Sequence, residues 1–418
     1  MTAGAQVASG GAPHRAGRRR RAVLAGAALA WLLLGALAPA PPVRADGGAP
    51  NLAYIVSRSA SGNGGTLAAL DIARRKVTWT TALAAAPTAV QLSVDGRTVF
   101  VAENGGNGVV LIDARTHQVS RTFATGAAGD LALDVSVTGA LYASIATAGA
   151  LAAVDLTNMR ASQVPVGAGA AGLAMAGPGS DNAAPQDAEV YVTHPQSNTV
   201  TIVSSTRHTT VATVAVPGGP EAVVAPGTGG LAYVTTRAGT VVVIGLSDHQ
   251  VRGTVYSAPG DELGRMDYDA VTGAIYLTDV TRNQVLALAP ASIGGDGGAA
   301  RIPAEPARAT AIPGGPSAVA VTFDGAFGFV TQRAAGSVTM LDLGAHQTLA
   351  TIPVPGQPVA VVTGAYPPAL DVRTSNIIGA LLYVLAGASI LAVAGYFFGW
   401  FGAARRWIAA RLGSTRPA

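Results

Sequence analysis

The sequence contains no cysteine, few aromatic residues and few charged ones. Of its 418 residues, none is Cys, 5% are Phe, Trp or Tyr, and 12% are Asp, Glu, Lys or Arg. The absence of cysteine excludes a disulfide framework, a thiolate metal site and haem attachment through a Cys-x-x-Cys-His motif. The 53 glycines and 49% hydrophobic residues are instead typical of many short strands joined by tight turns.

Both ends of the chain lack acidic residues. Ten arginines lie within residues 1–45 and 405–418 without any Asp or Glu, and setting them aside leaves 17 basic residues against 23 acidic ones. The net charge of +4 therefore describes the termini, and the body of the chain is acidic. An acidic body attracts nucleic acid poorly, so we expect no nucleic-acid partner.

Residues 1–45 have the order of an export signal. Arginines precede an apolar run from Ala22 to Ala38, and small residues with proline follow it, including the candidate cleavage site at residues 43–45. We expect a signal peptide over residues 1–45, with an uncleaved N-terminal anchor as the alternative. The ordinary export route and the twin-arginine route both fit the arginine run.

The segment before the C-terminal arginines is long, apolar and uncharged. About 20 apolar residues suffice to cross a bilayer, so we predict a linker over residues 367–375 and a transmembrane helix over 376–401 that contacts lipid through Ile377–Phe401. The arginines that follow favour a cytoplasmic tail over 402–418. The sequence thus predicts a single-pass cell-membrane protein with residues 46–366 on the extracytoplasmic side.

One pattern recurs seven times in the body of the chain. Each copy has two apolar runs joined by a polar turn, and most copies follow one further apolar strand and precede another. The unit is therefore four strands in about 40 residues, which is the period of a propeller blade. The copies begin at Ala53, Val99, Leu141, Val190, Ala232, Ile275 and Gly328.

The first and last copies are incomplete in complementary ways. The copy at Ala53 lacks its first strand, and Gln357–Tyr366 is a first strand with no blade behind it. Completing one with the other closes the ring and leaves no open sheet edge. We therefore predict an all-β fold, a seven-bladed β-propeller over residues 46–366 whose C-terminal strand completes blade 1.

The best-preserved copies of the repeat contain a recognisable sequence motif. Residues 190–203 read VYVTHPQSNTVTIV, and residues 316–325 read PSAVAVTFDG. These motifs resemble the YVTN-type β-propeller repeat, and the resemblance covers Ala53–Tyr366. It implies the propeller fold and, for function, the surface-exposed binding proteins of that family. More distantly the repeats resemble lactonases and the propellers of redox enzymes.

Histidines recur at one place in the repeat, the turn between the third and fourth strands. In the usual blade this turn lies at the outer rim of the bottom face, so we expect these side chains to be solvated. Equivalent positions of different blades cannot converge on one metal ion, so we predict no metal site here. The histidines are His117, His208, His249 and His346.

A second recurrent position lies at the top of the second strand, where the motif has Asn. Glu103, His194 and Asp279 occupy it in alternate blades. Packed sheets lie about 10 Å apart, which puts these residues on the order of 20 Å apart. We expect no shared metal shell, because metal ligands lie about 2 Å from one ion. Each side chain remains a candidate ligand-binding residue of the top face.

The channel mouth gathers the other charged candidates. Asp130, Glu221 and Glu262 precede the first strands of three blades, with Arg265 just inside. In lactonase-like propellers this region holds a divalent cation, which the resemblance implies as an alternative here. Three arginines follow the top of a second strand and could bind an anionic group. They are Arg58, Arg237 and Arg333.

The sequence predicts a membrane-anchored, extracytoplasmic binding or scaffold module for a protein or small ligand. No catalytic residue, metal or cofactor is assigned in this interpretation. One alternative is a lactonase-like hydrolase with a divalent cation at the acidic channel mouth. Another is an accessory propeller of an extracytoplasmic redox complex, whose cofactor would belong to a partner.

Overall fold

The computed structural model describes residues 51–105, 108–134, 139–177, 187–226, 229–293, 299–301, 307–364 and 406–408. Between residues 51 and 364, the described chain forms seven four-stranded antiparallel sheets and one short extra hairpin. The sheets are the blades of a β-propeller, which confirms the fold class predicted from the repeats.

The strands are as follows. Blade 1 contains β1 (Leu52–Arg58), β2 (Gly65–Asp71) and β3 (Lys76–Leu83); blade 2, β4 (Ala86–Leu92), β5 (Thr98–Asn104), β6 (Gly108–Asp113) and β7 (Gln118–Ala124); blade 3, β8 (Leu131–Leu133), β9 (Ala140–Ile145), β10 (Ala150–Asp155) and β11 (Arg160–Pro165); blade 4, β12 (Leu173–Ala176), β13 (Glu189–His194), β14 (Thr199–Ser204) and β15 (Thr210–Ala215); blade 5, β16 (Pro220–Val224), β17 (Leu231–Thr236), β18 (Thr240–Gly245) and β19 (Val251–Ser257); blade 6, β20 (Leu263–Tyr268), β21 (Ile275–Asp279), β22 (Gln284–Leu288) and β25 (Ala307–Ala311), with the hairpin β23 (Ser292–Ile293) and β24 (Ala300–Arg301); blade 7, β26 (Pro316–Val321), β27 (Phe327–Gln332), β28 (Ser337–Asp342) and β29 (Gln347–Pro353); and β30 (Gln357–Gly364) completes blade 1.

Ring closure follows the predicted route. Strand β30 pairs antiparallel with β1, in a register that runs from Leu52 opposite Gly364 to Arg58 opposite Gln357. Blade 1 is therefore built from both ends of the propeller, and its sheet has the same four-strand form as the others. The innermost strands contact one another around the ring, from β30 through β4 and onward to β26.

Burial explains why the middle strands read as continuous apolar runs. A blade is covered by a neighbour on each face, so both faces of a middle strand are buried, as in β13 and β17. The fourth strand is the outer edge and is largely exposed, as in β7. The hydrophobic core consequently lies between blades: Tyr191 and Ile202 of blade 4 pack in one cluster with Val234 and Ile244 of blade 5.

Asn198, in the turn between β13 and β14, has a structural role and is a different motif position from that of His194. Asn198 adopts a left-handed conformation, with φ of 56°, which asparagine tolerates better than most residues. Its side-chain oxygen accepts a hydrogen bond from the Gly219 amide at 2.8 Å. Asn283 of blade 6 makes the equivalent contact to the Gly315 amide at 3.0 Å. The motif thus ties the top of one blade to the connection that enters the next.

Three of the four turn histidines make contacts beyond the predicted exposure to solvent, although His208 is exposed as predicted. All four have left-handed backbones with φ between 53° and 62°, and three contact the preceding blade. His117 stacks on Trp79 at 4.2 Å between ring centroids, and His208 lies 3.3 Å from the Tyr142 hydroxyl. The turn that carries these three histidines reaches across the interface between blades. The pattern within one repeat does not predict such contacts between repeats. The partner of the third, His249, is a carboxylate.

His249 and Glu189 form the most buried of these contacts. His249 Nε2 lies 3.0 Å from Glu189 Oε2, and their side chains are 17% and 8% exposed. The Tyr191 hydroxyl donates to the same carboxylate oxygen at 3.4 Å. The bond to Glu189 raises the pKa of His249, against a smaller opposing effect of burial. The prediction of a solvated side chain is therefore wrong for His249.

The chain divides into two units, Met1–Tyr366 and Pro367–Ala418. In the second, the described residues form one helical turn at 406–408. No helix among the residues that the structure describes is long and apolar enough to cross a membrane. The predicted signal peptide, linker and transmembrane helix, at residues 1–45, 367–375 and 376–401, lie outside the described residues.

Closure of the ring should depend on the interface between blades 7 and 1. Ile55 is fully buried there, opposite Val361 of the closing strand. We expect Ile55→Ala to lower the free energy of unfolding by about 2–5 kcal/mol, because buried aliphatic volume is lost. Val271→Ala, at a position that is 68% exposed, should change it by less than about 0.5 kcal/mol. Urea denaturation would measure both, and equal effects would contradict the assignment.

The pair of His249 and Glu189 should make stability depend on pH. A histidine whose pKa is raised on folding stabilises the native state below its unfolded pKa, and this contribution is lost as the pH rises through the folded pKa. Between about pH 6 and pH 9, we expect unfolding to become easier by about 1 kcal/mol more in the parent protein than in His249→Gln. Denaturation at several pH values tests this, and parallel curves for the two proteins would refute it.

Candidate functional site

The innermost strands surround a central channel that contains two cavities. The first, here called the upper cavity, has a volume of about 720 Å³ and lies where these strands begin. The second, the lower cavity, measures about 640 Å³ and follows the strands toward their ends. The charged side chains that line the upper cavity are Arg58, Asp130, Glu221, Glu262, Arg265 and Arg333. Four of the predicted site residues of the channel mouth therefore share one cavity with two of the predicted arginines.

Arg265 crosses the channel between blades that lie on opposite sides of the ring. It starts in β20 of blade 6, and its Nη1 donates to Asp130 Oδ1 of blade 3 at 2.6 Å. Its Nη2 donates to the Thr88 carbonyl of blade 2 at 3.3 Å. Asp130 is held in turn by the Leu173 amide of blade 4, at 3.1 Å. Because both cavities include Asp130 and Arg265, this bridge marks the boundary between them.

The acidic side of the mouth is neutralised in part by arginine. Glu221 pairs with Arg237, whose Nε lies 2.6 Å from Glu221 Oε1. Glu262 is exposed and forms no ion pair within the described residues. The neighbouring Asp261 pairs with Arg282 at 2.7 Å. The mouth is therefore much less acidic than its carboxylates alone suggest.

Two arginines of the upper cavity have no carboxylate partner in the described part of the chain. Arg58 ends β1 in blade 1 and donates its Nε to the Pro87 carbonyl at 3.1 Å. Arg333 follows β27 in the adjacent blade 7 and is exposed. Burial, and then the positive charges of Arg333 and Arg265, lower the pKa of Arg58. The charge of Arg58 is therefore close enough to Arg333 and to Arg265 to be repelled by both.

The structure does not bring Glu103, His194 and Asp279 to either cavity. They are 0%, 2% and 0% exposed, each at the top of its second strand. His194 Nδ1 donates a hydrogen bond to the Ala168 carbonyl at 3.0 Å, which requires a proton on Nδ1. Burial lowers the pKa of His194, which favours the neutral ring. Gln332 occupies the equivalent position and donates to Pro313 at 2.6 Å.

In blades 4 and 7, the residue at the top of the second strand therefore contacts the loop through which the chain enters that blade. Asp279 shows a local variant, since its carboxylate accepts the Arg282 amide at 2.9 Å and the Gln284 side chain at 2.8 Å. Neither Glu103 oxygen makes a hydrogen bond of normal geometry within the described residues. Burial accordingly raises the pKa of Glu103, with the Ala85 backbone amide opposing the shift.

Asp267 is a half-buried carboxylate that was not among the site residues predicted from the sequence. It lines the lower cavity and accepts hydrogen bonds from the Val321 amide at 2.7 Å and the Tyr268 amide at 2.8 Å. Burial raises its pKa to about 6, although these two bonds oppose the shift. The signal available in the sequence was the alternation of Arg265 and Asp267 along an otherwise uncharged first strand.

The chain is similar to known proteins in its structure. No protein-family model and no curated protein matches the sequence. Among solved structures, the chain is similar to the hydrazine synthase of Kuenenia stuttgartiensis, with 17% identity, a TM-score of 0.55, and coverage of 66% of this chain and 89% of that one. It is also similar to the periplasmic gluconolactonase of Pseudomonas aeruginosa, with 16% identity, a TM-score of 0.57, and coverage of 76% and 99%.

A third similar structure is the virginiamycin B lyase of Staphylococcus aureus, with 12% identity, a TM-score of 0.50, and coverage of 64% of this chain and 84% of that one. These proteins have different activities on related folds. Likeness at such low identity establishes the propeller fold, with lactonase-like propellers among its neighbours, and leaves the site to be argued from this chain's own residues.

The buried Glu103 predicts an unusual effect of removing a charge. An acid whose pKa is raised on folding stabilises the native state at low pH, and this contribution is lost as the pH rises through the folded pKa. We expect Glu103→Gln to raise the free energy of unfolding by about 1 kcal/mol at about pH 7 and to have little effect near pH 4. Urea denaturation at both pH values measures this. Loss of stability at neutral pH would mean that the charged carboxylate is needed.

Proposed function

We propose that this propeller is a binding module that takes a small anionic ligand in the upper cavity. The observation that carries the proposal is the pair Arg58 and Arg333, which line one cavity without a carboxylate partner in the described chain. A cavity of about 720 Å³ has the size usual for small-molecule sites. Guanidinium groups bind carboxylates and phosphates through paired hydrogen bonds.

Charge repulsion supports an anion rather than a cation as the ligand. Arg58 is half-buried beside Arg333 and Arg265. Bringing like charges together and removing part of their water is unfavourable, and a bound anion would offset both costs. The wall formed by blades 7 and 1 is therefore the best-supported binding surface of the cavity.

The hydrolase alternative requires Asp130 and Glu221 as ligands of a divalent cation. Asp130 is bonded to Arg265, and Glu221 is bonded to Arg237. Within the described residues, no three His, Asp or Glu side chains form a group suited to a metal ion. A cation at these carboxylates would have to displace both arginines, so this donor set favours the anion-binding function.

The setting of the module is a further part of the proposal. The arginine-led apolar segment at residues 1–45 and the apolar, uncharged segment at 376–401 support export and anchoring in the cell membrane. In that arrangement the propeller lies outside the cytoplasm, where its cavity meets ligands or partner proteins of that compartment. The role of an accessory propeller in a redox complex is compatible with this setting but has no residue in the cavity that favours it.

Thermal unfolding with added anions tests the proposed function. A ligand that binds only the folded state raises its stability by RT ln(1 + [L]/Kd), which is about 2.7 kcal/mol at a hundredfold excess over Kd. In a panel of small carboxylates and phosphates, we expect at least one compound to raise the Tm of the parent protein by several degrees. The Arg58→Gln/Arg333→Gln double variant should lose that rise. The control Arg282→Gln, whose arginine pairs with Asp261 outside the cavity lining, should keep it.

Metal analysis of the purified protein separates this function from the hydrolase. We expect Asp130→Ala and Glu221→Ala to leave the metal content unchanged. A stoichiometric divalent metal that both variants lose would favour the hydrolase alternative. A panel in which no anion raises the Tm of the parent would overturn the proposed function without supporting the hydrolase.

A further inference from the structure

We propose that the group bound at Arg58 and Arg333 is a dianion, either a phosphate monoester or a dicarboxylate. The inference rests on the proposed anion-binding function and specifies the ligand class of the same cavity. It follows from which charges in the cavity are already compensated and from which arginine nitrogens remain available as donors.

The compensated charges are found at the bridge and at the acidic side of the mouth. Arg265 is neutralised by Asp130 at 2.6 Å. Glu221 is neutralised by Arg237, also at 2.6 Å. Two positive charges, on Arg58 and Arg333, remain in the described lining without an opposite charge in contact. Two adjacent positive charges are complemented by two negative ones, so a monoanion would leave half of the local charge unmatched.

Glu262 is the remaining charged side chain of the lining. It is exposed at the mouth, where solvent weakens its interactions. Arg58 is half-buried, so its field is less screened than that of a surface group. The charge of Arg58 is therefore less screened by solvent than that of Glu262, whereas Arg333 and Glu262 are both exposed.

The donor geometry agrees with a group that has several acceptor oxygens. Arg58 uses Nε on the Pro87 carbonyl, which fixes the side chain and leaves Nη1 and Nη2 as donors. The Arg333 guanidinium makes no hydrogen bond with the described residues, so its donors are also available. Arg265 uses Nη1 on Asp130 and Nη2 on the Thr88 carbonyl, so it is less available to a ligand than the other two arginines. Two guanidinium groups with available N–H donors can bind a phosphate or a pair of carboxylates through paired hydrogen bonds.

Calorimetric titration with matched pairs of esters tests the charge of the ligand. Methyl phosphate carries up to two charges and dimethyl phosphate one, while succinate carries two and monomethyl succinate one. At pH 7.5 and constant ionic strength, we expect at least one dianion to bind tenfold or more tightly than its singly charged partner. Whether methyl phosphate or succinate shows the larger ratio distinguishes a phosphate site from a dicarboxylate site.

Variants locate the effect. Arg58→Gln and Arg333→Gln should each reduce the tenfold ratio to less than threefold, whereas Arg282→Gln should preserve it. Asp130→Asn removes the carboxylate that neutralises Arg265 and should tighten dianion binding severalfold. Lowering the pH from 7.5 to 5 should weaken methyl phosphate binding as its second proton, with a pKa of about 6, returns. The ester pairs and this pH series need only the parent protein, so they decide the question even if a variant fails to fold.

The possible failures are distinguishable. Equal affinity for the doubly charged and the singly charged member of each pair would overturn the preference for a dianion while preserving the proposed binding of an anion. No binding of any of the four compounds, together with no anion-induced rise in Tm, would overturn the proposed function as well. Tight binding that persists in the Arg58→Gln/Arg333→Gln double variant would place the anion elsewhere and overturn both.

Discussion

The pairing of β30 with β1 is the interaction on which the rest of the structure depends. Each blade exposes two broad apolar faces, and each face is buried only when a neighbour covers it. Without the closing strand, blade 1 would lack its innermost strand and the channel would be open on one side. The upper cavity, whose lining includes Gln357 and Val359 of β30, is therefore a product of closure.

The repeat pattern was enough to predict the blades and the closing strand, because both depend on local periodicity and on avoiding an open edge. Contacts between blades were harder to predict. His249 and Glu189 are 60 residues apart, and the repeat places His249 in a turn of blade 5 and Glu189 at the start of a strand of blade 4. A pattern aligned within the unit shows equivalent positions, and it does not show which positions face each other across an interface.

In the candidate site as well, the positions of residues were predictable from the sequence and their contacts between blades were not. Asp130, Glu221, Glu262 and Arg265 were placed at the channel mouth from sequence, and all four line the upper cavity. Their pairing could not be predicted, since Asp130 and Arg265 are 135 residues apart and meet only because the ring closes. Glu103 illustrates the opposite case: its residue type suggested a ligand, but its position beneath a connecting loop removes it from the cavity.

The bridge from Arg265 to Asp130 also changes how the ring behaves mechanically. In repeat proteins each unit normally contacts only its neighbours, so stability is close to a sum of nearest-neighbour terms. This ion pair joins blades 3 and 6, which are not neighbours, across the diameter of the ring. Local opening at either end of the pair would break this contact, so the stability of blade 3 is coupled directly to that of blade 6.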